Sequence, residues 1–129
     1  MTPNRILLIN AVSTAACAAG ILLTRQVLPP LFALNGPLLL DVTAVGLFAY
    51  AVALAVAANR QPVGRSTLMT FAAVDALWVA GSAVVLLMFW GDLAALARTL
   101  IIVVAIAVEA FATLQFRAAR AVQNQPLAA

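Results

Sequence analysis

The chain has 129 residues, of which 66% are hydrophobic and only 9% are charged, and its mean hydropathy is +1.13. A soluble domain of this length could not conceal so much apolar surface from water, so the sequence predicts a single membrane-embedded domain, 1–129. All seven basic residues are arginines spread along the chain and histidine is absent, which argues against nucleic-acid binding, His-based metal sites and histidine general bases.

Four apolar stretches are long enough to cross the hydrocarbon layer of a bilayer, which takes about 20 helical residues. They run over about 5–25, 37–58, 66–90 and 93–117, and a tail, 118–129, follows. The prolines, which interrupt helices, fall at or beyond the ends of these stretches. The sequence therefore predicts an all-α fold, a four-transmembrane-helix bundle.

Spans one and three contain similar runs of residues, each starting at a polar side chain. Asn10 starts the run Asn-Ala-Val-Ser-Thr-Ala-Ala, and Asp75 starts the run Asp-Ala-Leu-Trp-Val-Ala-Gly. Both runs continue into a leucine-rich end, which is typical of a duplicated helical hairpin. We therefore expect two tandem hairpins, although alanine-rich apolar sequence can imitate a repeat without any duplication.

The arginines are distributed unevenly between the two sides of the predicted bundle. Five of them flank the spans on the side that carries both termini, namely Arg5, Arg60, Arg65, Arg117 and Arg120. The opposite side has Arg25 in its first loop and Asp92 in its second. Because basic residues are retained in the cytoplasm, the pattern predicts a multi-pass protein with cytoplasmic N and C termini.

Charged residues inside the spans are costly and need an explanation. Asp41 and Arg98 lie at a similar depth near the opposite side and have opposite charges, so we expect them to form an ion pair. The alternative is that Arg98 extends outward to the headgroups and that Asp41 stays hydrated at its helix start.

Asp75 and Glu109 lie deeper, and the rise per helical residue places their carboxyl groups at similar levels. Unpaired carboxyls there are expected to be protonated, and two in contact would share a proton. Asn10 lies near enough in depth to hydrogen-bond either of them. Arg98 and Glu109, eleven residues apart, share one helix face, which we expect to point into the bundle. Asp75, Glu109 and Asn10 are thus either a proton or ion site or structural hydrogen-bonding groups.

Over most of its length the chain resembles uncharacterised small bacterial four-helix integral membrane proteins. The likeness rests on Asn10-Ala11 and on Asp75 to Ser82, Asp-Ala-Leu-Trp-Val-Ala-Gly-Ser. The resemblance implies a bacterial inner (plasma) membrane protein and no known activity, so no catalytic residue is carried over from it.

The sequence argues against several activities and leaves three functions open. The sequence has no metal-ligand cluster, phosphate-binding glycine loop or catalytic triad, so we expect no cofactor, no metal and no enzymatic activity. The favoured hypothesis is a small non-enzymatic protein that acts by helix association, as an accessory subunit or a homo-oligomer, with membrane lipids and a larger membrane complex as its partners. The alternatives are a small oligomeric transporter or channel that uses Asp75 and Glu109, and a membrane-embedded lipid-modifying enzyme.

Overall fold

A computed structural model describes residues 2–60 and 62–123, and this part of the chain is helical without any strand. It contains five helices: α1 (Pro3–Leu23), α2 (Leu28–Leu31), α3 (Leu38–Asn59), α4 (Arg65–Phe89) and α5 (Ala95–Gln123). All except the short α2 are long and apolar enough to cross a membrane. The prediction of an all-α fold with four spanning helices is confirmed.

Prolines and caps set the helix starts. The hydroxyl of Thr2 accepts a hydrogen bond from the backbone N–H of Arg5 at 3.4 Å, and Pro3 occupies the first helical position of α1. Proline is tolerated there because the first N–H groups of a helix have no partner within the helix. For the same reason α2 can begin with a leucine followed by Pro29 and Pro30.

The long helices pack as two pairs, α1 with α3 and α4 with α5, and α1 also contacts α5. The two pairs share an apolar core at the end of the bundle where α1 begins, α3 is connected to α4, and α5 ends. This core is formed by Leu7, Ala11, Leu54, Ala58, Val63, Leu68 and Ala119. Because the five flanking arginines belong to these same segments, we call this end of the bundle the arginine end.

The last helix continues beyond the predicted span. α5 reaches Gln123, whereas the predicted fourth span ends at residue 117; the rest of the predicted tail, 124–129, lies outside the described residues. The extra helix includes Ala119, which is fully buried in the core at the arginine end. Burial of this small residue fixes the last turns of α5 against the bundle, which local hydropathy does not reveal.

Apart from Leu7, Leu54 and Leu68, the fully buried apolar side chains among the described residues are alanines, and many large apolar side chains lie on the outside. Ala18, Ala44 and Ala97 are fully buried, whereas Leu23 and Leu87 are more than four-fifths exposed, at 87% and 84%. A water-soluble bundle would have the opposite arrangement, because burial of large apolar groups drives its folding. In lipid, small residues allow close helix packing while leucine and valine face the acyl chains.

Candidate functional site

The candidate site is a buried carboxyl group on one helix that receives hydrogen bonds from three other helices. Asp75, on α4, is only 3% exposed. Its Oδ2 accepts hydrogen bonds from Asn10 Nδ2 at 2.9 Å and from Gln115 Nε2 at 2.8 Å, and its Oδ1 accepts one from the Tyr50 hydroxyl at 2.8 Å. Asn10, Tyr50 and Gln115 belong to α1, α3 and α5, so each spanning helix contributes one side chain. We call these four residues the polar cluster.

Further hydrogen bonds close the network within the polar cluster. The Nδ2 group of Asn10 also donates to Gln115 Oε1 at 2.9 Å, and Asn10 Oδ1 accepts from the Thr14 hydroxyl at 3.2 Å. Within the described residues, every buried side-chain nitrogen and oxygen has a hydrogen-bond partner. Full satisfaction matters here because lipid offers no competing partner to a buried polar group.

Helix register explains why these four residues meet. Asn10, Tyr50, Asp75 and Gln115 lie seven, nine, ten and eight residues from the helix ends at the arginine end. At about 1.5 Å per residue, all four lie roughly 10–15 Å inside the bundle. The cluster is therefore a single polar layer in the half of the bundle nearer the arginines.

The geometry around Asp75 can satisfy two protonation states. An ionised Asp75 accepts all three hydrogen bonds from neutral donors. A protonated Asp75 can instead donate from Oδ1 to the Tyr50 oxygen, because the Tyr50 hydroxyl can then turn to the backbone carbonyl of Phe71, 3.4 Å away. The Tyr50 ring is held for either arrangement by an edge-on contact with the Phe71 ring, with 5.7 Å between centroids.

Glu109 does not join the polar cluster, and its carboxyl group does not contact Asp75. The structure places Gln115 against Asp75, and Glu109 lies six residues earlier on α5. Six residues amount to about 120° of net rotation around a helix, so Glu109 faces away from Asp75 and is exposed. The prediction that Arg98 and Glu109 both face the bundle interior was therefore wrong for Glu109.

Glu109 lies in a groove between α4 and α5 whose other lining residues are all apolar. We call it the α4–α5 groove, and its lining is Val79, Ala83, Leu86, Ile102, Ala105, Ile106 and Glu109. Glu109 is fourteen residues from each end of α5, which places it near the middle of the span. No hydrogen bond or ion pair to its carboxylate is formed by residues 2–60 or 62–123.

The predicted ion pair between Asp41 and Arg98 is replaced by another pair. Arg25 donates from Nε and Nη2 to the two oxygens of Asp41, at 2.9 and 2.6 Å. Because α1 packs on α3, the turn after α1 lies next to the start of α3. Arg25 is therefore close enough to bind Asp41. Its hydrogen bond with Asp41, together with the attraction between the charges, raises the pKa of Arg25.

Arg98 instead contacts Trp90, the residue that follows the last residue of α4. Its Nε donates to the backbone carbonyl of Trp90 at 2.8 Å, and its guanidinium lies over the Trp90 ring, 4.6 Å from the centroid. Stacking of a guanidinium on an indole ring is favourable, most of all where water is partly excluded. Both arrangements keep these charges near the end of the bundle opposite the arginine end.

Sequence reasoning missed Tyr50 and Gln115 because it considered mainly charged side chains. Gln115 carries a usable signal: it lies three residues after Ala112 and four before Ala119, on the face that those buried alanines define. An amide on the small-residue face of a spanning helix needs a buried partner just as an acid does. Tyr50 carries a weaker signal, since tyrosine is also common at membrane surfaces.

Comparison with known protein families, with curated proteins and with solved structures finds no match to the chain. The resemblance to small bacterial four-helix proteins therefore stays a prediction. Within the described part of the chain, no three side chains among His, Cys, Asp and Glu come together as metal ligands would.

Proposed function

We propose that the protein acts by helix association within the bilayer, as a homo-oligomer or as an accessory subunit of a larger membrane complex. It would reside in a bacterial inner membrane with both termini in the cytoplasm, since five of the seven arginines belong to one end. Its role would be non-enzymatic. The observation that carries the proposal is the position of Glu109 on the outside of the bundle.

A carboxyl group at mid-span is costly in lipid, roughly 2.5–3.5 kcal/mol on insertion scales when charged. The bundle offsets this cost for Asp75 with hydrogen-bond donors from three other helices. It does not do so for Glu109, whose groove is otherwise apolar. A hydrogen-bonding partner for Glu109 would therefore come from another polypeptide that packs along α4 and α5.

The polar cluster has a different part in this proposal. Its bonds run between the helices of one chain, and they link the α1–α3 pair to the α4–α5 pair. Polar side chains that bond across helices commonly stabilise membrane bundles. We therefore assign Asp75, Asn10, Tyr50 and Gln115 to internal cohesion and Glu109 to association.

Substitution of Glu109 by leucine distinguishes association from a lipid-facing acid. If Glu109 binds a second polypeptide, Glu109→Leu reduces the assembled mass in nanodiscs to that of one chain. If Glu109 faces lipid in a monomer, the same change leaves the mass unaltered and stabilises the bundle, because a costly group has been removed.

Asp92→Asn is the matched control for Glu109→Leu. It removes the same charge from the short connection between α4 and α5, outside the spans, and should change neither the mass nor the stability. Native mass measurement of the intact assembly would also detect a different co-purified partner, which would select the accessory role. A single chain for the unaltered protein, without partner, would overturn the proposal.

A second candidate function is proton-coupled transport, which the position of Tyr50 favours. The Tyr50 hydroxyl lies between Asp75 Oδ1 and the carbonyl of Phe71, so Asp75 could gain or lose a proton without leaving a hydrogen bond unmade. In liposomes with an imposed pH gradient and an internal pH-sensitive dye, this function predicts a proton flux that Asp75→Asn abolishes in a folded protein. Absence of flux for the unaltered protein would exclude it.

A further inference from the structure

A second groove lies at the arginine end, between α3 and α4, and it has a volume of about 480 Å³. We call it the α3–α4 groove. Its mouth is polar, with Arg60, Ser66 and Thr67 at the turn that joins the two helices. Deeper along the helices its walls are formed mainly by apolar groups, among them Val56 and the ring of Phe71. The groove is therefore polar at the membrane surface and apolar toward the membrane interior.

The charge around the mouth of this groove has one sign. The arginine end carries five of the seven arginines, and the four acidic residues, Asp41, Asp75, Asp92 and Glu109, all lie elsewhere in the sequence. Asp75 is the acid nearest to this end, and its carboxylate is enclosed by the polar cluster. A negatively charged group at the mouth would meet attraction without a competing acid nearby.

We propose that the α3–α4 groove binds one anionic phospholipid of the phosphatidylglycerol class. The phosphate would lie between the Arg60 guanidinium and the hydroxyls of Ser66 and Thr67, and one acyl chain would lie along Val56 and Phe71. Arginine and hydroxyl groups are suitable donors to phosphate oxygens. The proposal depends on the membrane setting and not on association through Glu109, so the two can fail separately.

The order of polar and apolar groups in the groove matches a lipid better than a protein partner. A transmembrane helix from another chain would place apolar side chains along the whole groove and would leave the Arg60 charge without a counter-ion. A phospholipid supplies an anion at the level of Arg60 and hydrocarbon below it. Basic residues next to a membrane span recognise anionic headgroups in this way.

The test measures lipid retention by native mass spectrometry. The purified protein is exchanged into detergent with equal amounts of phosphatidylglycerol and phosphatidylcholine carrying the same acyl chains, and bound lipid is counted per chain. We expect one retained phosphatidylglycerol and a clear preference over phosphatidylcholine. Arg60→Gln should lower that preference about fivefold, the effect of one basic group near an anionic surface.

Two further variants separate a built site from general surface charge. Arg120→Gln removes the same charge from the same end of the bundle, but Arg120 lies on α5 and stacks beside Phe116, 6.0 Å from its ring centroid. It should change the preference by less than about twofold, since a charge outside the groove acts only through the general surface field. Val56→Trp keeps every charge and fills the apolar part of the groove, and it should remove the retained lipid.

Each remaining outcome counts against the proposal. Equal losses in Arg60→Gln and Arg120→Gln would show that only the net charge of this end attracts lipid. Retention of phosphatidylglycerol by Val56→Trp would show that no acyl chain enters the groove. Displacement of the lipid by millimolar glycerol phosphate would identify a site for soluble phosphate, and a helix from a partner or a second copy bound there would identify a protein surface. Circular dichroism on each variant confirms that the helices are retained.

Discussion

Replacement of Asn10 by leucine would remove the donor that links three helices while keeping a side chain of similar size. Asn10 is 3% exposed, and its Nδ2 group serves Asp75 Oδ2 and Gln115 Oε1 at once. Interhelical hydrogen bonds in membranes contribute on average about 0.6 kcal/mol each and at most about 2 kcal/mol. Loss of Asn10 also leaves Gln115 Oε1 buried without its donor, which costs roughly 1–3 kcal/mol.

We therefore expect Asn10→Leu to lower the free energy of unfolding by about 2–4 kcal/mol. The assay is reversible unfolding of the protein in mixed micelles with increasing sodium dodecyl sulfate, followed by circular dichroism. Asn59→Leu is the control, because Asn59 is exposed and, among the described residues, its side chain bonds only to the Ala55 carbonyl of its own helix, and it should be nearly neutral. A loss below about 0.5 kcal/mol for Asn10→Leu would refute the reasoning, since a satisfied buried network cannot lose its shared donor at so little cost.

Two other substitutions test contacts that the structure assigns. Tyr50→Phe removes the only side-chain donor to Asp75 Oδ1 among the described residues and should destabilise the bundle by about 1–2 kcal/mol in the same assay; an unchanged midpoint would show that the hydroxyl does not bond to Asp75. In double-mutant cycles, Asp41→Asn should couple with Arg25→Gln and should be additive with Arg98→Gln, because Asp41 is bonded to Arg25. Coupling to Arg98 instead would restore the ion pair that depth alone predicts.

The sequence was sufficient to predict the four spanning helices, because their length and apolar composition are dictated by the thickness of the bilayer. It also identified Asn10 and Asp75 as intramembrane polar groups at compatible depth. Depth follows from counting residues along a helix, since each adds about 1.5 Å. The axial position of a side chain can therefore be predicted from its place in the sequence.

The rotation of each helix about its own axis is harder to predict. Counting residues from the predicted span ends places Asp75 and Glu109 at similar depths, but α5 continues to Gln123, so Glu109 lies four residues deeper than Asp75, and only Asp75 faces the interior. Which face of α5 is buried depends on its small residues, Ala97, Ala112 and Ala119, and on the length of helix beyond residue 117. The helices α1, α3 and α4 are nearly uniform in their apolar character and give little amphipathic signal to orient them, whereas α5 is more amphipathic.

The Asp41 pairing was wrong for a related reason. Residue counting placed Asp41 and Arg98 at one level, but which helices are neighbours decides which charges meet. α3 packs against α1, so the arginine just after α1 is the nearer partner. Loop residues such as Arg25 are easily left out when only charges inside the spans are considered.

One polar cluster, with a side chain from each spanning helix, holds the bundle together around Asp75. Magic-angle-spinning NMR on the protein in lipid, with carboxyl carbons labelled in aspartate and side-chain nitrogens labelled in asparagine and glutamine, tests it directly. We predict cross-peaks from the Asp75 carboxyl carbon to the amide nitrogens of both Asn10 and Gln115, each lost in the matching Asn10→Leu or Gln115→Leu protein. An Asp75 carbon without any amide cross-peak would show that Asp75 is not held by Asn10 and Gln115.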